Sequence, residues 1–417
     1  MMKKSNWLLQ KLWNGYRFTA VTLLNTLVAL VLLNAILSAV FMVEDHFALN
    51  PVLKKYGKST IKAVYHGLSE GEIEALLKET WSRPYVYEPF TQFKERPYRG
   101  LYVNVDSNGF RITKNQGPWP PQSKSLNIFL LGGSSTFGYG VPDDQTIASH
   151  LQEYLTTRLD RDVKVYNFGR GHYYSTQERI LYEELLTSGF VPDMAIFIDG
   201  LNDFYYNSNE PKFTPLLREV VNKGKTSIEY KDFVTTKSPN RAVREVRKRL
   251  SKWFREERNN EKLSDKADAD VNRKKFGDPK VIHLVIKRYL TNKRMIEAVS
   301  IPFGVKPIFV WQPVPTYHYD QRYYPFSEKG FGQHSYSQYG YEYMAELIEK
   351  NPLGDNFLWC ADIQKDKEKN LYVDMVHYSA GFSKEFARVI ADLLVERHLA
   401  KVHVEDSKSF VNETLKD

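Results

Sequence analysis

The feature that most constrains the fold of this sequence is a recurrence of short apolar runs, each ending in glycine and a polar side chain. Three such runs are LNIFLL (residues 126–131), VKVYNF (163–168) and PDMAIFID (192–199). The first is followed by Gly-Gly-Ser, the second by Gly-Arg-Gly and the third by Gly-Leu-Asn. Runs this apolar, with helical periodicity between them, predict parallel strands buried on both faces.

The same alternation continues towards the carboxyl terminus. Helical patterns are predicted at residues 175–187, 281–299, 341–350 and 379–398, with further strands at 306–315 and in FLWCADI. Alternating strands and helices predict an α/β fold with a central parallel sheet covered on both faces. In such folds, ligands bind at the carboxyl ends of the strands, where the glycines and polar residues lie.

The amino-terminal stretch predicts a membrane anchor. Residues 18–43 contain no charged side chain. The length of this uncharged stretch exceeds the roughly 20 apolar residues needed to cross a bilayer. A cleavable signal peptide would have an apolar core of only about 7–15 residues, so an uncleaved anchor is favoured. Lys and Arg precede the span, and Glu44 and Asp45 follow it, which predicts a cytoplasmic amino terminus and places the remainder of the chain on the periplasmic or extracellular side. Asn25 and Asn34 either bond a partner membrane protein or are tolerated singly.

The expected organisation has five parts. They are a cytoplasmic tail (residues 1–17), a transmembrane anchor (18–43), a juxtamembrane segment packed on the main domain (44–125), the main α/β domain (126–400) and a polar tail (401–417). In the juxtamembrane segment, residues 69–80 predict a short helix, and residues 102–113 predict a hairpin or a turn around Ser-Asn-Gly. A basic segment at about 210–280 is interpreted as a helical insertion, either a solvated surface or a lid or membrane-surface helix.

Charge and cysteine content restrict the partners. Much of the formal net charge of +8 lies in the basic segment, so no nucleic-acid partner is expected. The single cysteine, Cys360, excludes an intrachain disulfide, and its apolar neighbours predict a buried core residue. No close pair of histidines offers metal ligands, and no lysine follows the glycine-rich turn as a phosphate-binding loop requires. We therefore expect neither a metal nor a cofactor.

Ser134 is a candidate nucleophile, although an ordinary Gly-Ser turn is the alternative. A serine hydroxyl is a weak nucleophile at neutral pH and needs a base within hydrogen-bond reach, oriented in turn by a carboxylate. His377 follows Asp374 by three residues, and in a tight loop this spacing lets the carboxylate bond one ring nitrogen. His172 and His318 have no carboxylate at such a spacing and are interpreted as packing or pocket-wall residues.

Attack on an ester also needs donors for the carbonyl oxygen as negative charge develops on it. The candidates are the backbone N–H of Ser134, the backbone N–H of Gly171 or Gly169, and the side-chain amide of Asn202. Taken singly, each glycine fits an ordinary turn and the asparagine an ordinary helix cap. Their occurrence together, at the ends of successive predicted strands, favours an oxyanion-binding site over ordinary turns and a helix cap.

Four blocks of the sequence resemble the signature blocks of the SGNH/GDSL hydrolase superfamily: GGSSTFG (132–138), NFGRG (167–171), GLND (200–203) and DMVH (374–377). The resemblance covers about residues 126–399 and implies a flavodoxin-like three-layer α/β/α sandwich. Carried over residue by residue, it makes Ser134 the nucleophile, His377 the base and Asp374 the group that orients the base. It makes the Ser134 N–H, Gly171 and Asn202 the oxyanion donors.

The blocks depart from the family pattern in two places. Gly133 stands where the usual Gly-Asp-Ser has aspartate, a residue that is not the attacking group. In the glycine block, the spacing leaves the second donor open between Gly169 and Gly171, and Gly171 is preferred.

The expected function is that of a membrane-anchored, extracytoplasmic serine esterase or acyl-ester hydrolase. The family also resembles surface O-acetyltransferases, in which a sugar hydroxyl resolves the acyl-enzyme, and the aromatic residues at 311–343 suggest stacking on sugar rings. The substrate is expected to be an acyl ester, with an acylated glycan or lipid as examples. A non-catalytic subunit of an envelope complex is the alternative from another functional class.

Overall fold

The computed structural model describes residues 2–46, 50–223, 273–327 and 330–400. The chain divides into two units. One unit comprises Met1–Leu49 and Pro215–Ser264, and the other comprises Asn50–Thr214 and Asp265–Asp417. The predicted basic insertion lies for the most part outside the described residues, as does the predicted polar tail.

In the first unit, helix α1 runs without a break over Met2–His46. Within the described residues it is the one helix long and apolar enough to cross a membrane, a test that a signal sequence near the amino terminus also passes. Its described apolar side chains are almost all exposed. The expected boundary between tail and span, at residues 17 and 18, is not a helix boundary.

The second unit begins with short elements that precede the main sheet. These are helices α2 (Pro51–Tyr56), α3 (Lys58–Val64) and α4 (Glu70–Trp81), and strands β1 (Tyr85–Glu88), β2 (Gln92–Glu95), β3 (Tyr98–Arg99) and β4 (Asn104–Val105). Strands β1 and β2 form one antiparallel hairpin, and β3 pairs with β4. Helix α4 starts where the sequence predicts because the Ser69 and Glu72 side chains form a reciprocal capping box.

The body of this unit is a five-stranded parallel sheet in the order β6-β5-β7-β8-β9. Its strands are β5 (Leu126–Gly132), β6 (Val163–Asn167), β7 (Met194–Asp199), β8 (Lys306–Trp311) and β9 (Phe357–Trp359). Every residue of β5 and β7 is buried, as expected of strands covered on both faces.

Helices cover both faces of this sheet. The remaining helices of this unit are α5 (Ser134–Phe137), α6 (Ile147–Leu159), α7 (Ser175–Thr187), α8 (Leu201–Tyr205), α10 (Pro279–Ser300), α11 (Tyr336–Lys350) and α12 (Ala380–Glu396). Helix α9 (Thr214–Lys223) belongs, apart from Thr214, to the first unit. Short 3-10 turns lie at Asp143–Gln145, Ile301–Phe303, Gln321–Tyr323 and Gly332–Ser335. Ile128 and Leu130 of β5 face a core shared with α6 and α12, while Phe129 and Leu131 face one shared with α7, α10 and α11. The predicted three-layer α/β/α class is confirmed.

Most predicted elements lie where the sequence indicates, and three differ. The strand predicted at 306–315 ends at Trp311, because Pro313 and Pro315 have no backbone N–H to continue the ladder. Helix α11 begins at Tyr336 and not at residue 341. Its first turn is rich in Tyr, Ser and Gly, which have modest helix propensity, but Gly340 packs directly on the ring of Phe204 and this contact overrides propensity. In residues 102–113 the turn forms, with a bridge between Val105 and Arg111, yet the ladder partner of β4 is β3.

Candidate active site

Three of the sequence-predicted site residues lie at the carboxyl edge of the sheet. Ser134 follows β5, Gly171 follows β6 and Asn202 follows β7. The chain leaves β5 for β6 on one side and then crosses to β7 on the other. This change of direction opens a crevice at the strand ends, which is where doubly wound sheets bind their ligands.

Ser134 is the first residue of α5, directly after the strand. A Cβ at Gly132, where φ is +157°, would collide with the Thr136 side chain, so only glycine fits this turn. Gly138 N–H donates to the Ser134 carbonyl at 3.0 Å, which closes the single helical turn. Because the first N–H groups of a helix have no acceptor within it, the Ser134 N–H faces the crevice edge unpaired by its own helix.

The Ser134 hydroxyl, the His377 ring and the Asp374 carboxylate form one continuous chain of contacts. Ser134 Oγ lies 2.8 Å from His377 Nε2. His377 Nδ1 lies 2.8 Å from both carboxylate oxygens of Asp374. An ionised carboxylate only accepts, so Nδ1 carries the proton and Nε2 is left to accept from the serine hydroxyl. The structure therefore brings together all three residues of the predicted triad.

Asp374 is held in a local turn. Its Oδ1 accepts the backbone N–H groups of Val376 and His377, both at 2.9 Å. Burial raises the pKa of Asp374, but attraction to the His377 ring, together with hydrogen bonds from the ring and the two backbone groups, outweighs burial. The pKa of this carboxyl therefore lies below its ordinary value, and Asp374 stays ionised at neutral pH.

Two aromatic side chains fix the plane of the His377 ring. Tyr139 stacks on it, with centroids 5.4 Å apart and planes 23° apart. Trp81 meets it edge-on, with centroids at 5.6 Å and an angle of 82°. Trp81 comes from α4, well before the main sheet, so the segment that precedes β5 contributes a wall to this crevice.

Asn202 lies against the residue that precedes the serine. Its Nδ2 donates to the Tyr173 carbonyl at 2.7 Å, which leaves one N–H of the amide unused by that bond. A Cβ built on Gly133 would collide with this same Nδ2. The absence of a side chain at position 133 therefore lets the Asn202 amide lie directly against the backbone of Gly133.

The backbone N–H groups after β6 differ in their availability. Gly171 N–H donates to Glu95 Oε1 at 3.0 Å, and Gly169 N–H donates to Asn167 Oδ1 at 3.0 Å. Within the described residues, the N–H of His172 makes no hydrogen bond. His172 adopts a left-handed backbone, with φ +68°. Gly171 lies at the crevice, but its N–H already has an acceptor.

The rival histidines have other partners. His172 Nε2 lies 2.7 Å from the Lys212 ammonium, and burial, followed by repulsion from Lys212, lowers the pKa of this ring to about 3. His318 Nδ1 lies 2.6 Å from Asp362 Oδ1 at the surface. In the described part of the chain, His377 is the imidazole bonded to Ser134.

Several aromatic residues that the sequence suggested for sugar stacking belong to the core. Trp311 and Tyr341 are fully buried, and Tyr324 is 2% exposed. A half-buried ring nearer the crevice is Tyr205, one helical turn after Asn202, which packs on His334 with centroids 4.6 Å apart.

Three acidic side chains that interact with one another are buried: Glu178, Asp199 and Asp203. Burial and then repulsion from Asp199 raise the pKa of Glu178 well above its ordinary value, and burial and then Asp203 do the same for the pKa of Asp199. Neither oxygen of Glu178 has a donor among the described residues, which fits a proton shared with Asp199. Over the described ranges, no group of three His, Cys, Asp or Glu side chains is arranged to hold a metal ion.

Sequence reasoning missed Trp81, Tyr139, Glu95 and the His172 N–H. Glu95 and Gly171 are 76 positions apart, and the weak pattern of residues 82–97 gave no sign of a hairpin.

No family model matches this chain, and no curated protein matches it. Solved structures do match. A member of the lipolytic protein G-D-S-L family from Veillonella parvula is 11% identical, with a TM-score of 0.31 over 65% of this chain and 97% of that one. A carbohydrate acetylesterase from Sinorhizobium meliloti is 10% identical, with a TM-score of 0.31 over 65% and 99%.

An acetyl xylan esterase is 12% identical, with a TM-score of 0.33 over 65% of this chain and 98% of that one. The activities in these names are those of the matched proteins.

Proposed function

We propose that this chain is a serine ester hydrolase of the SGNH/GDSL type. The observation that supports this proposal most directly is the contact of 2.8 Å between Ser134 Oγ and His377 Nε2, with Asp374 bonded to the other ring nitrogen. Such a series of hydrogen bonds from carboxylate to imidazole to hydroxyl activates a serine that is otherwise a weak nucleophile at neutral pH.

The reaction follows from this order of groups. His377 Nε2 takes the hydroxyl proton as Ser134 Oγ attacks the ester carbonyl, and Asp374 holds the resulting imidazolium. The ring then gives the proton to the leaving alcohol, and an acyl group remains on the serine. Water, deprotonated by the same nitrogen, attacks the acyl carbon and releases the acid, which restores the serine hydroxyl.

Three donors are proposed for the negative oxygen of the tetrahedral intermediate. They are the N–H of Ser134, the free amide N–H of Asn202 and the backbone N–H of His172. His172 is proposed in place of Gly171, because the Gly171 N–H already donates to Glu95. Fixed donors of this kind stabilise the charge that develops in the transition state.

The test is Ser134→Ala, assayed with short-chain aryl esters. Turnover should fall by about 10⁶-fold, with the thermal unfolding temperature unchanged within error. Wild-type protein should also form a covalent adduct with an aryl phosphonate at Ser134, located by mass spectrometry. Wild-type-like turnover in Ser134→Ala would reject the proposal. A folded wild-type protein that forms no adduct would favour the non-catalytic envelope subunit.

Acyl transfer to a glycan is the second candidate, and Tyr205 favours it. This half-buried ring lies one turn from Asn202, where a sugar could stack beside the acyl-enzyme. The two candidates differ in the fate of the acyl group. Adding oligosaccharides to the aryl ester assay should yield acylated sugar if transfer is the function, and free acid alone if it is hydrolysis.

Residues 18–43, within α1, are proposed to anchor the protein in a membrane, with the catalytic unit on the extracytoplasmic side. The length and composition of the helix and the basic residues before it support this topology. Protease added to sealed right-side-out cells or spheroplasts should digest the catalytic unit. Protection of that unit until the membrane is permeabilised would reverse the orientation.

A further inference from the structure

Glu95 is a buried carboxylate that touches the crevice from outside the α/β body. It is the last residue of β2 and is 1% exposed. Its Oε1 accepts two hydrogen bonds, from the Gly171 N–H at 3.0 Å and from the Tyr139 hydroxyl at 3.2 Å. A buried carboxylate without donors is costly, so both bonds are expected to hold their donors firmly.

The first of these bonds fixes the turn that carries the proposed oxyanion donor. Gly171 immediately precedes His172, so its peptide orientation sets where the His172 N–H points. A Cβ at Gly171 would collide with the Tyr85 hydroxyl and lie 2.7 Å from the Tyr139 hydroxyl and 3.3 Å from Glu95 Oε1. The turn is therefore packed against the same groups that Glu95 bonds, and only glycine fits there.

The second bond, from the Tyr139 hydroxyl to Glu95, fixes a ring that packs on the proposed base, His377. The Tyr139 ring stacks on His377, and its hydroxyl is fixed by Glu95 at 3.2 Å and by the Tyr85 hydroxyl at 3.0 Å. One carboxylate thus contacts both the oxyanion turn and the aromatic wall of the base.

An arginine balances the charge of this carboxylate. Arg83 Nη2 lies 3.2 Å from Glu95 Oε2, with both side chains almost fully buried. The Arg83 guanidinium also lies over the Phe137 ring, 4.8 Å from its centroid, at the end of the helical turn that starts with Ser134. The Glu95–Arg83 ion pair therefore contacts the Gly171 turn, the Tyr139 side chain and the helical turn that begins with Ser134.

We propose that Glu95 is a positioning residue for the reaction, which holds the Gly171–His172 turn and Tyr139 in the arrangement that the transition state needs. This inference rests on the proposed esterase function. It makes the segment that precedes the main sheet part of the catalytic machinery, although it supplies no reacting atom.

The experiment compares Glu95→Gln and Glu95→Ala with wild type and with Glu88→Gln. Glu88 is a matched control, because it lies on the same hairpin in an ion pair with Lys94 away from the crevice. Each protein is first titrated with the aryl phosphonate to count reactive Ser134, and kcat is then expressed per titrated site. A purely structural role would reduce the number of titrated sites and leave the kcat of each site unchanged.

Glutamine keeps an oxygen that can accept the Gly171 N–H but loses the charge, whereas alanine loses the acceptor altogether. We expect kcat per titrated site to fall about 10-fold in Glu95→Gln and about 10²-fold in Glu95→Ala, as for a misplacement of about 1 Å at a reacting centre. KM should change much less than kcat, and Glu88→Gln should match wild type.

Wild-type kcat per site in both Glu95 variants would overturn the inference. If the alanine variant does not fold, wild-type kcat per site in Glu95→Gln alone would overturn it. Failure of the esterase proposal looks different, because then Ser134→Ala keeps its turnover or wild type takes up no phosphonate. A loss in Glu95→Ala that appears wholly in KM would also count against a positioning role.

Discussion

The proposed base side of the crevice (Asp374 and His377) and the proposed oxyanion side (Ser134, His172 and Asn202) are built in different ways. Asp374 and His377 lie within four residues of each other, and the backbone of that same stretch satisfies the carboxylate. Ser134, His172 and Asn202 come instead from the ends of three strands, and Glu95, from a fourth segment, bonds the N–H of Gly171 next to His172. The base side is thus encoded in one local motif, whereas the oxyanion side exists only once the whole unit has folded.

Among the variants that test this contrast between the two sides, the largest effect should come from Asp374→Asn, which removes the carboxylate of the local motif. The side-chain NH₂ would face His377 Nδ1 and favour the tautomer with the proton on Nε2, which cannot accept from Ser134. We expect kcat to fall about 10⁴-fold with little change in stability. The measurement is steady-state turnover of an aryl ester.

Asp362→Asn is a matched control, since Asp362 bonds His318 in a similar pair at the surface. It should leave turnover at the wild-type level. Loss of activity in Asp362→Asn, or near-normal activity in Asp374→Asn, would show that the base is not held by its local motif.

A smaller effect is expected on the oxyanion side from Asn202→Ala. Loss of one oxyanion donor lowers kcat by about 10²–10³-fold, and the remaining donors should sustain measurable turnover. Asn202→Asp should be worse than alanine, because a carboxylate repels the developing oxyanion. Both are measured as kcat and KM, with the exposed Asn108→Ala as the control variant.

If kcat fell as much in Asn202→Ala as in Asp374→Asn, the two sides would be equally important for turnover, and the contrast between them would not hold. If alanine and aspartate at position 202 gave wild-type kcat, Asn202 would be only a packing residue.

The smallest effect on turnover is expected from Glu178→Gln, beneath the oxyanion side. The raised pKa of Glu178 means that the folded protein keeps a proton that the unfolded chain releases. This costs stability as the pH rises above the ordinary carboxyl pKa, and the cost grows up to the raised pKa. Glutamine is neutral at every pH, and its amide can donate to Asp199.

Glu178→Gln should therefore raise the free energy of unfolding at pH 8 by on the order of 1 kcal/mol, with a gain that shrinks towards pH 4. The measurement is thermal unfolding across this pH range. Glu183→Gln is the control, because Glu183 lies on the same helix in a partly exposed pair with Arg179. A gain that does not depend on pH would contradict a shared proton at Glu178.

The sequence predicted the sheet, its edge and the triad because each depends on a local pattern. Apolar runs ending in glycine identify β5, β6 and β7, and the three-residue spacing identifies Asp374 and His377. The second backbone donor was not predictable, since whether Gly171 or His172 has a free N–H depends on Glu95, far away in the chain. The suggestion that aromatic residues at 311–343 stack on sugar rings was wrong for Trp311, which is buried. Amino-acid composition does not distinguish a buried ring from an exposed one.

The wall that Trp81 provides has a practical consequence for anyone preparing a soluble form of this protein. Trimming the gene to start at the first strand of the large sheet would discard Trp81, Arg83 and Glu95, and the imidazole would lose one of its two flanking rings. A truncation that begins near Asn50, just past the apolar helix, keeps them all. Comparing two such recombinant forms would measure directly how much an enzyme's activity depends on residues outside its recognisable domain.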